Sequence, residues 1–174
     1  FSEAHPVTAK HKMKNKNIVL ISCSNGLTNN EDFQKLLDLL NNMNMNVILS
    51  KALFKINETT ISAKERAKEL SKYLLDEKVD YIFDVSGGDL SNEVLNYLDF
   101  NLIKNIEKYY FGYSDLTTLL NSLNKITKIK TVNYQIRNIV KDNNRATEFE
   151  EFIKNDDKEL FKFYYNFIRG NNLE

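Results

Sequence analysis

Two neighbouring stretches decide the fold: Tyr81-Ile-Phe-Asp-Val-Ser-Gly-Gly-Asp-Leu90 and Tyr109-Tyr-Phe-Gly-Tyr-Ser-Asp-Leu-Thr117. Each is a short apolar run that ends in a glycine turn and leads into a helical pattern, the signature of a strand handing over to a helix. The turns are Gly87-Gly88 and Gly112-Tyr113-Ser114-Asp115, and they hold three of the chain's five glycines. Glycine lets the backbone turn sharply and approach a ligand closely. A serine between a strand and a helix can be held on a tight, exposed elbow, as nucleophilic serines are. Ser114 is therefore the candidate nucleophile. The familiar Gly-Xaa-Ser-Xaa-Gly elbow would need glycine at position 116, where this chain has Leu116. A Ser-Asp pair opening a helix also reads as a simple N-cap.

Outward from these turns, strands and helices alternate. Residues 17–22 form an apolar run read as a buried parallel strand, ending in the polar turn Ser22-Cys-Ser-Asn-Gly26. Ser24 or Asn25 in that turn faces a ligand or merely serves turn chemistry. Residues 31–43 carry an apolar helical stripe of Phe33, Leu36, Leu37, Leu39 and Leu40. A second strand follows at 46–49, then a helix at 61–76 with Ser62 and Glu65 spaced as a capping box. Residues 79–85 are the third strand, 90–98 a helix, 102–106 a further helical turn, and 109–111 the fourth strand. A helix at 116–123, a short strand at 130–132 and helices at 146–153 and 158–168 complete the chain. Strand-helix repetition without hairpin signals predicts an α/β fold of three layers. Its sheet is mostly parallel, flavodoxin-like or Rossmann-like, with helices on both faces.

The 174 residues suit one domain with a real core. Lys plus Arg and Asp plus Glu balance at 24 each, so no electrostatic signal favours nucleic acid or an acidic membrane surface. The single cysteine, Cys23, rules out an internal disulfide and closes an apolar strand, as a small buried residue does. No apolar run approaches the roughly 20 residues of a membrane span, and no secretory signal is visible, which makes the cytoplasm the expected compartment.

Residues 1–12 hold the only proline, Pro6, and both histidines, His5 and His11, without periodicity. They read as a leader or cloning remnant. The expected organisation is then a domain over 13–142, a boundary or link near Asp142-Asn143-Asn144, and a helical extension over 143–174. The extension is rich in aromatics, with Phe149, Phe152, Phe161, Phe163, Tyr164, Tyr165 and Phe167. These either pack on the sheet or form a face that docks another domain or a partner subunit, a homodimer included. Tyr109, Tyr110, Tyr113 and Tyr134 lie near the turns in sequence, as core and rim aromatics or as groups that orient a substrate carboxylate.

Acyl transfer by serine needs a base, a group that orients it, and donors for the oxyanion. The N–H of Asp115 at the start of the next helix supplies one donor, and the Gly87-Gly88 turn on a neighbouring strand end a second. No Gly-Xaa-Gly-Xaa-Xaa-Gly phosphate loop is present, which argues against nucleotide-module function.

Taken together, Ser86-Gly-Gly-Asp-Leu-Ser-Asn-Glu-Val-Leu-Asn-Tyr-Leu-Asp99 and Phe111-Gly-Tyr-Ser-Asp-Leu-Thr-Thr-Leu-Leu120 resemble the LD-carboxypeptidase family of serine peptidases, peptidase family S66. The closer branch is that of the microcin C self-immunity peptidases. Ile21-Ser-Cys-Ser24 and Arg66-Ala67 with Leu70 also fit, so the resemblance covers residues 17–134, the family's amino-terminal domain. It implies Ser114 as nucleophile and the N–H groups of Gly88 and Asp115 as oxyanion hole, with Gly87, Asp89, Ser24 and Tyr113 around the substrate. Asp89 stands where the family often has an aromatic residue or methionine. The implied chemistry is hydrolysis of amide bonds next to a free carboxylate, in murein peptides or a peptidyl-nucleotide toxin, without metal or cofactor. The family's glutamate and histidine come from a carboxy-terminal domain, which is expected to be absent from this chain. The expectation is thus a nucleophile-bearing domain that needs the missing domain or another chain. The alternative is a short, catalytically inert homologue that binds peptide or protein.

Overall fold

The computed structural model describes residues 15–28 and 30–155. Five strands, β1 (Asn17–Ile21), β2 (Asn46–Leu49), β3 (Tyr81–Asp84), β4 (Tyr109–Gly112) and β5 (Lys130–Asn133), form one sheet in the order β2-β1-β3-β4-β5. Every pairing is parallel. The helices are α1 (Glu31–Asn42), α2 (Ala63–Leu75), α3 (Ser91–Val94), α4 (Phe100–Ile103), α5 (Thr117–Ile126) and α6 (Asn143–Asn155). This is the expected three-layer α/β fold.

Side chains alternate across a strand, so each central strand feeds two cores. Ile18, Leu20, Tyr81, Phe83 and Phe111 point to a core shared with Phe33, Leu36 and Leu40 of α1. Val19, Ile21, Ile82 and Tyr110 point to the opposite core, with Ala67, Leu70 and Leu74 of α2 and Leu119, Leu120 and Leu123 of α5. Both faces being covered, β1 and β3 are apolar almost throughout. The sheet grows one way from β1 to β2 and the other way from β3 to β5. A constant crossover hand therefore puts α1 on one face and α2 and α5 on the other. The strand order reverses between β1 and β3, the crevice where ligands of such sheets bind.

The predicted cap of α2 is present in full. Ser62 Oγ accepts from Glu65 N at 3.3 Å, and Ser62 N donates to Glu65 Oε2 at 3.2 Å. The expected helix at 90–98 is shorter. α3 tightens into a 3-10 turn at Leu95–Tyr97, because Asp99 caps the next helix, its Oδ1 accepting from Leu102 N at 3.1 Å. The turn expected at 102–106 is accordingly α4. A 3-10 segment at Ile136–Val140, too short to show a period, was not legible in the sequence; it buries Ile136 and Ile139.

Asp142-Asn143-Asn144 is a helix start instead of a flexible link. Asp142 Oδ1 accepts from Asn144 N at 2.9 Å, and its carbonyl accepts from Ala146 N at 3.1 Å. Behind it, α6 turns Ala146, Phe149, Phe152 and Ile153 into the α1-side core. Phe149 meets Phe83 edge-on at 5.5 Å, and Phe152 lies 5.6 Å from Tyr81. These two aromatics are spent on the sheet and are not open to a partner. Phe161, Phe163, Tyr164, Tyr165 and Phe167, the helix expected at 158–168, and the 1–12 leader with His5 and His11 lie outside the described residues. Among those residues no helix is long and apolar enough to cross a membrane.

Candidate active site

All strands being parallel, the loops after β1, β3 and β4 emerge at one edge of the sheet. Gly112 ends β4 against Leu116: a Cβ there would stand 2.9 Å from Leu116 Cδ1, which would have to shift. Two residues on, Ser114 has φ of 61°, the left-handed region that costs a non-glycine residue about 1–2 kcal/mol. Ser114 is exposed, and its hydroxyl makes no hydrogen bond among the described residues. Its carbonyl accepts from Thr117 Oγ1 at 2.6 Å, which fixes the turn from below. This is the geometry of a strained serine elbow between a strand and a helix, and it is not that of a plain N-cap: Ser114 accepts no amide with its side chain.

The Gly87-Gly88 turn approaches from β3. Gly88 has φ of 131°, and a Cβ on it would sit 2.5 Å from Asn25 Cγ. Asn25 N donates to Gly87 O at 3.2 Å, which bridges the crevice between β1 and β3. A Cβ on Gly87 would meet nothing within 4 Å, so that residue faces open space. Asp89 and Tyr113 are exposed beside these turns. Neither the Gly88 nor the Asp115 N–H donates a hydrogen bond among the described residues.

Three loops are tied together by one carboxylate that sequence reasoning used only for its backbone. Asp115 Oδ2 accepts from Ser24 Oγ at 2.6 Å and from Ser91 N at 2.9 Å. Ser91 Oγ donates to Asp115 O at 2.8 Å, and Ser24 Oγ accepts from Leu90 N at 3.2 Å. Ser24 is fully buried, so its hydroxyl works within the fold and not as the ligand contact expected of it. Arg66, 1% exposed, braces the same knot from α2. It donates to Cys23 O at 2.7 Å and Leu90 O at 3.0 Å and pairs with Glu93 at 2.6 Å.

Asp84 lies beneath the knot. Its carboxylate accepts from Cys23 N at 2.8 Å, Ser86 N at 3.0 Å, Ser86 Oγ at 2.5 Å and Tyr110 Oη at 2.7 Å. Burial raises its pKa, and these donors pull against that rise. Burial also raises the Cys23 thiol and the Tyr110 phenol well above their ordinary values, with Asp84 adding to both. Sequence reasoning missed Asp84; the only signal was an acidic residue closing an otherwise apolar strand. Of the four tyrosines near the turns, Tyr110 is thus a buried partner of Asp84, and Tyr109 and Tyr134 pack on the α1-side core. Only Tyr113 stands open at the turns.

The result is a doubly wound parallel α/β domain with a left-handed serine at one strand end and backbone donors without partners at the crest, among the described residues. The chain belongs to the LD-carboxypeptidase family: residues 18–134 match the LD-carboxypeptidase N-terminal domain, Peptidase S66. Over 59 residues it is 42% identical to a Vibrio cholerae protein whose name carries an inferred carboxypeptidase assignment, covering 34% of this chain and 18% of that one. Over 57 residues it is 40% identical to the microcin C7 self-immunity protein MccF of Escherichia coli, covering 33% and 17%. Among solved structures, MccF in complex with aspartyl sulfamoyl adenosine superposes with a TM-score of 0.71 at 23% identity, over 80% of this chain and 44% of that one. An MccF-like protein from Bacillus anthracis gives 0.69 at 25% identity, over 79% and 44%. The chain thus spans less than half the length of the relatives it matches.

Proposed function

We propose that the chain carries the nucleophile of an LD-carboxypeptidase-type serine peptidase that hydrolyses amide bonds next to a free carboxylate. The observation that carries this reading is the exposed, left-handed Ser114 at the end of β4. In this reading Ser114 Oγ attacks the amide carbonyl and gives its proton to a base. The N–H groups of Asp115 and Gly88 hold the resulting oxyanion, each worth on the order of 3 kcal/mol in the transition state. Collapse expels the amine, which takes the proton from the base, and water then hydrolyses the acyl-serine ester. Gly87, Asp89 and Tyr113 flank the substrate. Both histidines of the chain, His5 and His11, lie outside the described residues, so the base and its orienting acid come from polypeptide other than 15–155. The family's second domain and another chain are the two sources.

The substrate in this reading is a murein peptide or a peptidyl-nucleotide toxin, the classes that the family resemblance implies; one similar structure, MccF with aspartyl sulfamoyl adenosine, fits the second. The second reading, an inert module that binds such peptides, draws on the Ser114 hydroxyl having no partner among the described residues. Loss of a triad base typically leaves a rate several orders of magnitude lower. Intact-mass labelling with a fluorophosphonate tests the first. A single adduct on the wild type and none on Ser114→Ala is the result expected where a second copy of the chain supplies the base. A folded wild type without adduct would mean that this chain alone is not a hydrolase, and would leave a base from the family's second domain or the binding reading.

A further inference from the structure

In the crevice between β1 and β3, the buried Asn25 Oδ1 accepts no hydrogen bond among the described residues. A buried carbonyl oxygen without a donor is costly to the fold, and an apolar side chain of similar shape would avoid that cost. The neighbour of this oxygen is the Gly87-Gly88 turn. The loop after β3 is pinned on both sides of Gly88. Ser24 N donates to Ser86 Oγ at 3.0 Å, Asn25 N donates to Gly87 O at 3.2 Å, and Leu90 N donates to Ser24 Oγ at 3.2 Å. No hydrogen bond holds Gly88 itself among the described residues. What meets Gly88 is the Asn25 carboxamide: Cγ, Nδ2 and Oδ1 stand 2.5, 2.5 and 2.9 Å from the place a Gly88 Cβ would take. The carboxamide therefore lies across the Gly88 Cα, and it is set there by shape, since its oxygen has no donor.

We propose that Asn25 is a positioning residue of the oxyanion hole, whose backbone N–H and carboxamide together hold the Gly88 N–H turned outward and free to donate. The proposal rests on the reading of that N–H as an oxyanion donor. The described residues contain no cis peptide bond, and in a trans peptide the C=O and N–H point opposite ways. By fixing Gly87 O, the Asn25 N–H thus directs the Gly88 N–H away from its own backbone. One bond of 3.2 Å is a weak tether, and a Gly-Gly peptide rotates easily because neither residue carries a Cβ. The carboxamide wedge fills the space into which the Gly88 Cα would swing. Alanine at position 25 keeps the tether and removes the wedge. Leucine, branched at the same carbon, keeps both and buries no unpaired oxygen.

The test compares the full chain as wild type, Asn25→Ala and Asn25→Leu. Relaxation dispersion of 15N signals reads the order of the Gly88 amide, and urea unfolding reads stability. The rate of fluorophosphonate labelling in imidazole buffer, which supplies a base, reads Ser114, with Ser114→Ala as the blank. The Gly88 amide should be free of exchange in the wild type, broadened in Asn25→Ala and quiet again in Asn25→Leu. The urea midpoint of Asn25→Ala should be no lower than the wild type's. Its labelling should nevertheless slow at least tenfold, and Asn25→Leu should recover most of that loss. A merely structural Asn25 would do the reverse, lowering the midpoint of Asn25→Ala and sparing the labelling rate. A Gly88 amide as quiet in Asn25→Ala as in the wild type overturns the proposal whether or not Ser114 is labelled, and so does an unchanged labelling rate. Broadening in Asn25→Ala beside a wild type that imidazole cannot activate supports the positioning role and counts against Ser114 as the nucleophile.

Discussion

At Ser114 the backbone is held in a conformation its side chain does not favour, and the hydroxyl receives no compensating hydrogen bond within the described residues. Such strain persists only where surrounding contacts over-determine it. Here they are the Thr117 hydroxyl on the Ser114 carbonyl and the Asp115 knot. Ser114→Gly should therefore raise stability by about 0.5–1 kcal/mol in urea unfolding, whereas Ser114→Ala should leave it nearly unchanged. The two turn glycines should differ in the same assay. Gly88→Ala meets both a φ of 131° and the Asn25 side chain, and should cost about 2 kcal/mol or more. Gly87→Ala points into open space and should stay within about 0.5 kcal/mol of the wild type. The elbow serine and the glycines were legible in the sequence because their residue types are unusual between a strand and a helix. Ser24 was misassigned because a short hydroxyl side chain suits a ligand and an internal carboxylate equally. Only the fold distance between Ser24 and Asp115 decides which.

Among the elements, the central strands were readable for a simple reason: both their faces are buried, so the apolar run is continuous. The helices α1 and α2 were readable because each buries one stripe. The segment from Leu90 to Ile103 was harder, since Asp99 splits one apolar pattern into two short helices by capping the second. The α6 helix was the open case, its aromatics fitting a core or a docking face equally well. Its Phe149 is 1% exposed against Phe83 and Tyr134. Phe149→Ala should cost about 3–5 kcal/mol, measured as a lower urea midpoint with an unchanged slope. A cost near zero would detach α6 from the core.

Across the whole molecule, buried Cys23, Asp84 and Tyr110 contribute to the response to pH, and burial also raises the Tyr134 phenol. In the folded chain Cys23 and Tyr110 hold their protons far above the usual values. The unfolded chain releases them near pH 8.5 and 10. The folded state then binds more protons than the unfolded one, so stability falls as pH rises beyond about 9. Tyr110→Phe should lower stability at pH 7, because Asp84 loses a donor at 2.7 Å. It should also flatten the alkaline decline, followed by denaturant unfolding from pH 7 to 11. An equally steep decline in the variant would assign the slope elsewhere. Charge balance and length, by contrast, told nothing of this buried triad, because no composition reports which polar groups a fold encloses.

The parallel sheet also divides the surface of the domain by direction. Every strand leaves its carboxyl end at the crest that carries Ser114 and Gly88, and every strand is entered from the opposite rim. The connections on that rim, around residues 43–45, 76–80, 104–108 and 127–129, touch none of these groups. A fluorophore, an affinity handle or an immobilising linker attached there would leave the crest facing solution. On a sensor surface the domain would then present its working side outward whichever of those four points served as the anchor.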